Sequence, residues 1–510
     1  MTDAVYAKFL RRTAIAGAGA LALFTGFAAV PTIFSRTADA QEITPSRVAP
    51  PGGAPMSFAD LIDRVRPAVV SISVRQAPNA ATGPNLEGLP PGFEEFFRGR
   101  PGRPGGPAPT SLGSGFFIDD RGTIVTNHHV IAGAEEITVR TSDGRDLQAD
   151  IVGSDEPTDI AVLRVRGGGR FQFVTFDDSR HLRVGDWVVA VGNPFGLDGT
   201  ATAGIVSALG RRDAGSSAYV DYVQIDAPIN RGNSGGPTFD LAGNVIGVNS
   251  AIFSPTGGSV GIGFAIPAST ASTVVEQLQR GGRVTRGWIG VSIQPLDEDI
   301  ARSLGLDEPR GALVSTVVPD GPAARAGIQQ GDVILSLDGN RIEDSRDLTQ
   351  RVGATQVGRN SRVEILRNGQ RRNLTIRLLE RPSEQELAAN NTPAPGAEPE
   401  GASPQQGGVA STGLGLTVRP LNAEDRTRLG LTANQTGLMI TAVAPTSDAA
   451  EKGIQPGHAI LRADNTPVAS AEQLTQRAQA ARNASPARPV LLQVAVRGGN
   501  RFVAVDVAAE

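Results

Sequence analysis

The sequence predicts a mainly β protein, in which one all-β domain is followed by two smaller modules of a common fold. A series of short segments between residues 113 and 266 carries β-favouring residues, separated by Gly, Asp and Asn turns. No long helical period interrupts this series, which favours a barrel or sandwich over a parallel sheet with crossover helices. The C-terminal part of the chain then shows one residue pattern twice, which predicts two modules of a single fold.

The N-terminal residues 1–40 predict a bacterial export signal. Arg11 and Arg12 precede an apolar, Ala- and Gly-rich stretch at residues 13–34, and residues 38–40 fit a cleavage site between small residues. A retained membrane anchor is the alternative, because the apolar stretch is long enough to span a bilayer. The Arg pair leaves open whether export follows the general or the twin-arginine route. We therefore expect a periplasmic protein, with peripheral membrane association as a further option.

The first folded domain is expected at residues 57–282, after a Pro-rich disordered linker at residues 41–56. A helix predicted at residues 268–279 closes this domain. A long insertion at residues 76–110 is rich in Pro, Gly and Arg, and such a segment is usually either functional or disordered. Its Phe cluster predicts an assembly contact or, alternatively, a local hydrophobic knot in a floppy loop. The cluster consists of Phe93, Phe96 and Phe97.

The candidate nucleophile is a serine in a Gly-rich turn. Residues 230–237 place Ser234 among three glycines and a proline, where small neighbours leave its hydroxyl uncovered. Consecutive N–H groups in such a turn can converge on a developing oxyanion. A serine beside glycine is often a simple turn residue. Here the arrangement predicts a nucleophile, which requires a base and an orienting acid upstream.

Few residues can supply the base. The chain has no Cys, which excludes disulfides, thiol catalysis and Cys-based metal sites, and it has only four His. His128 and His129 lie at the end of one predicted strand and Asp159 opens another, so that the chain order is His, Asp, Ser. Asp159 lies beside apolar residues and would be costly to bury without a partner; a turn aspartate that caps the strand is the alternative. Adjacent His residues could hold a metal, but neighbouring strand residues point to opposite faces, so no metal is expected.

The first domain resembles the HtrA/Deg family of trypsin-like serine proteases, and the matching motifs follow the family's order. They lie at residues 113–116, 126–130, 158–163, 192–196, 204–207, 230–237, 243–247 and 261–267. The resemblance implies two perpendicular β-barrels with His129 as base, Asp159 as orienting acid and Ser234 as nucleophile. It also implies an oxyanion hole in the turn of Gly232, Asn233 and Ser234, where Gly232 and Ser234 offer their N–H groups and Asn233 shapes the turn.

The resemblance further implies a substrate pocket near the nucleophile. Its walls would be Ile229, Asn249, Ser250 and Ala251. Since no acidic residue occupies these positions, a small aliphatic preference is expected rather than a preference for Lys or Arg.

The C-terminal part contains two copies of one module, expected at residues 283–380 and 411–510 with a flexible linker at residues 381–410. Gly327 and Gly331 of the first copy recur as Gly453 and Gly457 of the second. Both copies resemble PDZ domains of the HtrA type, with helices predicted at residues 345–352 and 471–481. A PDZ domain adds a peptide as a strand beside its helix and holds the terminal carboxylate on loop N–H groups.

The expected carboxylate loops differ between the two copies. They are Gly287, Trp288, Ile289 and Gly290 in the first copy, and Gly413, Leu414, Gly415 and Leu416 in the second. In the second copy His458 replaces an Asp at a turn, which puts peptide binding there in more doubt. The alternative for either copy is a packing or assembly module without a peptide ligand.

The function expected from the resemblance is that of an ATP-independent serine endopeptidase that degrades misfolded or unfolded proteins of the cell envelope. Its partners would be such polypeptides and C-terminal peptides, and it would assemble into homotrimers or multiples of trimers. A net charge of −4 without a basic stripe gives no case for nucleic acid, and no cofactor is expected. The alternatives are a chaperone or peptide-binding scaffold with minor proteolysis, and a site-specific regulatory protease activated by a peptide on the first PDZ copy.

Overall fold

The computed structural model describes most of the chain. The described residues are 57–76, 110–177, 181–193, 199–212, 217–230, 232–254, 258–383, 386–387, 409–497 and 499–507. The predicted export signal and N-terminal linker lie outside these residues, as do nearly all of the 76–110 insertion and most of the 381–410 linker. In the part of the chain that is described, no helix has the length and apolar character needed to cross a bilayer.

A first barrel is built from six antiparallel strands. They are β1 (Val69–Gln76), β2 (Thr110–Phe117), β3 (Thr123–Thr126), β4 (Ala134–Arg140), β5 (Asp146–Asp155) and β6 (Ile160–Val165). The barrel closes in the order β1-β2-β3-β6-β5-β4. Helix α1 (Ala59–Val65) precedes it, and the one-turn helix α2 (His128–Ile131) connects β3 to β4. Its interior is filled by branched and aromatic side chains that include Ile72, Phe117 and Leu163.

A second six-stranded barrel follows directly. Its strands are β7 (Trp187–Gly192), β8 (Thr200–Arg211), β9 (Tyr222–Ile225), β10 (Pro237–Phe239), β11 (Val245–Ile252) and β12 (Gly263–Pro267). They close in the order β10-β11-β12-β9-β8-β7. One buried cluster contains Phe116 and Val162 of the first barrel together with Phe239 and Val248 of the second, so the barrels share an apolar layer. Helix α3 (Ala268–Gly281) adds Val274 and Leu278 to this cluster and confirms the predicted closing helix.

The first C-terminal module is a small sheet with short helices. Its elements are β13 (Gly287–Trp288), β14 (Val291–Pro295), α4 (Glu298–Leu304), β15 (Ala312–Val317), α5 (Pro322–Arg325), β16 (Val333–Leu337), β17 (Asn340–Arg341), α6 (Ser345–Ala354), β18 (Asn360–Arg367), β19 (Gln370–Arg377) and β20 (Leu379–Glu380). The sheet order is β14-β15-β16-β18-β19, and β13 pairs with β20. Asp344 caps α6 by accepting the Asp347 N–H at 2.8 Å, which confirms the predicted helix and its start.

The second C-terminal module repeats this plan. Its elements are β21 (Val409–Thr412), β22 (Leu416–Pro420), α7 (Ala423–Leu429), β23 (Leu438–Val443), α8 (Asp448–Glu451), β24 (Ala459–Ala463), β25 (Thr466–Pro467), α9 (Ala471–Arg482), β26 (Val490–Val496) and β27 (Gly499–Val505). The sheet order is β21-β22-β23-β24-β26-β27. Helix α9 confirms the second helix predicted from the repeat.

The two modules share one apolar cluster. Leu313 and Val333 of the first module lie in it with Leu491 and Phe502 of the second. The side-chain amide of Gln294 adds two hydrogen bonds to this contact: it donates to the Phe502 carbonyl at 3.0 Å and accepts the Phe502 N–H at 2.8 Å. The second module is therefore packed on the first through buried side chains.

Candidate active site

His129 and Asp159 are brought together by the ends of two paired strands. The ring atom Nδ1 of His129 lies 2.9 Å from Oδ1 and 2.8 Å from Oδ2 of Asp159, and the His129 N–H donates to Oδ1 at 3.0 Å. Both side chains are largely buried, with 14% and 20% of their surface exposed. The expectation that the two histidines end a strand is wrong, because β3 stops at Thr126 and His128 begins α2. The carboxylate thus fixes the orientation of the imidazole ring.

The backbone of Asp159 is held in a left-handed conformation, with φ of 56°. Asp155 caps the short turn before it, since its Oδ2 accepts the N–H of Thr158 at 3.1 Å. The Asp159 carbonyl accepts the His128 N–H at 3.1 Å and the side-chain amide of Asn127 at 2.9 Å. Asp155, and not Asp159, therefore supplies the cap, and the Asp159 carboxylate is left for the histidine.

The environment of Asp159 favours its charged form. Burial by itself raises the pKa of this carboxyl, but the opposing effects of the His129 charge and of the hydrogen bonds from His129 and Ser250 are together larger. The pKa of Asp159 therefore lies below its ordinary value. Ser250 donates its hydroxyl to Oδ2 at 2.8 Å from strand β11, so the second barrel also contributes to this site.

The turn that carries Ser234 packs against the same strand ends. The Ser234 carbonyl accepts the N–H of Ser114 at 2.8 Å. Gly235 has φ of 82°, and a Cβ there would clash with the hydroxyl of Thr126 and lie 3.0 Å from the N atom of Asn127. Only glycine fits at this close approach. The turn of the nucleophile candidate is consequently seated on the segment that leads to His129.

From Gly232 to Gly235, the N–H groups of this turn alternate between unpaired and paired. Asn233 donates to the carbonyl of Asn230 at 3.0 Å and Gly235 to that of Asn249 at 2.8 Å. Within the described residues, the N–H groups of Gly232 and Ser234 donate to no protein acceptor. Asn233 therefore shapes the turn and its N–H is already engaged, while the N–H groups on either side of it are available to a ligand.

The predicted pocket residues divide into different environments. Ile229 and Ala251 are buried in the second barrel and its shared apolar layer. The Asn249 side chain is turned into the barrel, where it accepts the Thr238 hydroxyl at 2.5 Å. The Ser250 hydroxyl is engaged with Asp159, and the place of Ser250 on the pocket wall stays a prediction. The side-chain preference of the pocket stays a prediction.

A buried ion pair joins the turn before Asp159 to the first module. The Arg286 guanidinium donates to both carboxylate oxygens of Asp155 at 2.7 Å, with 11% and 6% of the two side chains exposed. The same guanidinium lies 4.4 Å from the ring centroid of Tyr219. Arg346 at the start of α6 donates to the carbonyls of Ser217 and Val220 at 2.5 and 2.6 Å. The first module is thereby tied to segments that border the candidate active site.

The predicted carboxylate loops occupy equivalent places in the two modules. Gly290 and Gly415 both have positive φ, and their carbonyls accept the N–H groups of Val318 and Ala444 at 2.9 and 2.8 Å. Gly290 and Gly415 are 125 residues apart, whereas the repeated glycines Gly327 and Gly453 are 126 residues apart. The two loops are therefore offset by one residue from the rest of the repeat. In the second module Leu414 and Leu416 are buried.

Comparisons with family models match the three folded parts of the chain. Residues 113–248 match the trypsin-like peptidase domain, and residues 287–378 and 406–495 match PDZ domains. The expected double barrel followed by two PDZ domains is confirmed. The fold and the site together define a trypsin-like serine endopeptidase that carries two PDZ domains.

Similar proteins narrow this class to one family. A probable periplasmic serine endoprotease, DegP-like, of Brucella melitensis is 41% identical over 93% of this chain and 92% of its own length. The protein of that name from Rhizobium meliloti is 42% identical over 98% and 99%. The solved structure of the HtrA-type protease AlgW with a tripeptide is 40% identical over 64% of this chain and 99% of its own, with a TM-score of 0.55. The chain belongs to the DegP-like serine endoproteases of the HtrA type.

Sequence reasoning missed two residues of the site, Asn127 and Asp155. It named Ser250 as a pocket residue but not as a partner of Asp159. A polar residue inside an apolar strand such as β11 is a usable signal, because a buried hydroxyl needs a partner. Asp155 precedes a turn by the spacing of a capping residue, but its second partner, Arg286, lies far away in the sequence and could not be inferred.

Proposed function

We propose that the chain cleaves peptide bonds by acyl transfer to Ser234. The Ser234 hydroxyl attacks the scissile carbonyl while Nε2 of His129 accepts its proton, and Asp159 stabilises the resulting imidazolium. The N–H groups of Gly232 and Ser234 stabilise the oxyanion of the tetrahedral intermediate. His129 then gives its proton to the leaving amine, and water hydrolyses the acyl-enzyme. The observation that carries this proposal is the contact of His129 with a buried, ionised Asp159 beside the turn of Ser234.

The proposed substrates are unfolded or misfolded proteins of the cell envelope. A protease site accepts a peptide bond as part of an extended segment, and an unfolded chain offers many more such segments than a folded protein does. The DegP-like relatives are named periplasmic endoproteases, and this supports the same compartment for this chain. The solved AlgW structures were obtained with a tripeptide or a decapeptide, which supports peptide capture by a PDZ domain here. Assembly as a homotrimer or as a larger multiple of trimers is part of the proposal.

The test is degradation of an unfolded protein by the full-length enzyme. Wild type is expected to degrade reduced, unfolded casein without ATP, and Ser234→Ala is expected to lower the rate by roughly 10⁴- to 10⁶-fold. Ser269→Ala, at an exposed serine of helix α3 in the same domain, is the matched substitution control and should retain cleavage. Failure of wild type to cleave any unfolded substrate, or full activity of Ser234→Ala, would refute the proposal.

A further inference from the structure

The two PDZ domains differ at the sheet edge where a peptide would add. Among the described residues, β14 of the first domain pairs with β15 alone, so its other edge is unpaired. The equivalent strand β22 of the second domain pairs with β23 on one side and with β21 on the other. The edge that is open in the first domain is therefore occupied in the second.

The occupying strand has the position and direction of a captured peptide. Strand β21 runs antiparallel to β22, with Val409 opposite Val418 and Thr412 opposite Leu416. It also lies against helix α9, the helix beside which a peptide would add to this domain. A peptide captured by a PDZ domain adds as a strand beside that helix and ends at the carboxylate loop. Residues 409–412 likewise run towards that loop and reach it at Gly413.

Local sequence explains why the chain can fold back only in the second domain. The connection from β21 to β22 has three residues and contains Gly415 with φ of 70°, which is the geometry of a tight hairpin loop. The corresponding residues at the start of the first domain, 284–287, contact the catalytic domain instead. There the Thr285 N–H donates to the side chain of Gln277 at 3.1 Å, and Arg286 binds Asp155. The first stretch is thus tied to the catalytic domain and cannot cover β14.

We propose that residues 409–412, at the end of the inter-PDZ linker, fill the peptide edge of the second PDZ domain in cis. The first domain then captures C-terminal peptides directly, whereas the second captures them only when β21 is displaced. Displacement requires no covalent step, because the incoming strand exchanges its backbone hydrogen bonds for those of β21. This inference rests on the proposed capture of peptides by PDZ domains.

The test maps where a peptide binds in the full-length Ser234→Ala protein. The probe is a synthetic decapeptide with a C-terminal Val, a free carboxylate and one photoreactive benzoylphenylalanine, and cross-links are located by mass spectrometry. Of the two PDZ domains, only the first (residues 283–380) is expected to carry cross-links. With Ala410→Pro and Ser411→Pro added, which remove two strand N–H groups, cross-links are expected in both domains. Ala402→Pro is the matched linker control and should give the first pattern.

Hydrogen exchange supplies a readout that does not depend on any peptide. The amides of Leu416 and Val418 are expected to exchange slowly in the unaltered linker, and at least tenfold faster with the two prolines. Equal labelling of both domains in Ser234→Ala, or unchanged exchange in the proline variant, would overturn the inference. Labelling of neither domain in any variant would instead refute peptide capture itself, and the exchange result would still decide whether β21 covers the edge.

Discussion

The two PDZ domains share a fold but are attached to the rest of the chain by different kinds of contact. The first is held by charged groups: Arg286 binds Asp155, and Arg346 binds the carbonyls of Ser217 and Val220. The second is held mainly by an apolar cluster, in which Phe502 packs among leucines and Val333 of the first domain, and in addition by an ion pair from Lys452 to Asp299 at 2.5 Å. Charged contacts depend on the direction of each group, whereas apolar contacts depend mostly on the area they cover.

Because of this difference, we expect the two attachments to affect the catalytic site differently. Asp155 both receives Arg286 and caps the turn that presents Asp159, so the position of the first PDZ domain bears on the catalytic acid. The apolar contact of the second domain has no such connection to the site among the described residues. Changes at the first attachment should therefore alter catalysis, and changes at the second should alter only the packing of the domains.

The largest effect is expected from breaking the buried ion pair. Arg286→Gln leaves Asp155 buried without its partner, which should destabilise the catalytic domain by about 3–5 kcal/mol and lower kcat by disturbing the Asp159 turn. Unfolding can be followed by Trp187 fluorescence in a Trp288→Phe background, since the chain has only these two Trp residues. The kcat is measured with a fluorogenic peptide.

The control for this variant is a second ion pair that lies away from the catalytic domain. Arg488 of the second PDZ domain donates to Asp464 at 2.8 and 3.0 Å, and also to the Ser303 carbonyl of the first PDZ domain at 3.3 Å; its side chain is 30% exposed. Arg488→Gln should leave kcat and the Trp187 transition unchanged. Equal losses of kcat in both variants would show that the contrast between the two attachments is wrong.

A smaller effect is expected from the apolar attachment. Phe502→Ala removes a ring that is 3% exposed, and it should weaken docking of the second PDZ domain by about 3 kcal/mol, the lower end for a buried Phe, because the two domains can readjust. Hydrogen exchange in β15 and β16 should accelerate while kcat stays unchanged. Phe173→Ala, at a position 49% exposed in the catalytic part, is the matched control and should alter neither quantity. A fall in kcat for Phe502→Ala would contradict the separation of roles.

The smallest effect is expected from Ser250, which sharpens the account of Asp159. Ser250→Ala removes one donor from the carboxylate, so it should raise the pKa of Asp159 and cost about 2 kcal/mol near pH 7. The pKa of Asp159 is lower in the folded than in the unfolded state, so the ionised carboxylate stabilises the fold at pH values above the unfolded pKa of about 4. This stabilisation is lost as the pH falls through the folded pKa. The difference between wild type and variant in unfolding free energy should therefore shrink below about pH 4. A difference that is constant from pH 3 to 7 would contradict this assignment.

Local patterns in the sequence were enough for much of the fold and part of the site. Alternating strands, the closing helix and the two PDZ helices depend on neighbouring residues, and all were predicted. The meeting of His129 with Asp159 followed from the motif resemblance. Ser250, by contrast, was placed on the pocket wall by the resemblance, and its hydrogen bond to Asp159 could not be read from its neighbours in the sequence.

Other features depend on contacts between distant segments. The pairing of Arg286 with Asp155 crosses a domain boundary, and the residues next to either one in the sequence do not indicate it. Residues 409–412 fold back onto β22 through the three-residue loop at residues 413–415. This loop lies one residue out of step with the 126-residue spacing of the repeated glycines, so the repeat does not reveal it. Such features require the three-dimensional arrangement.

The central claim is that Ser234 is a nucleophile activated by His129, and covalent labelling tests it most directly. A fluorophosphonate should add once per chain, and digestion followed by mass spectrometry should locate the adduct on Ser234. His129→Ala should slow labelling by at least about 10³-fold, since the residue that accepts the hydroxyl proton is gone. An adduct on another residue, the absence of labelling in an enzyme that cleaves casein, or an unchanged labelling rate in His129→Ala would contradict the account.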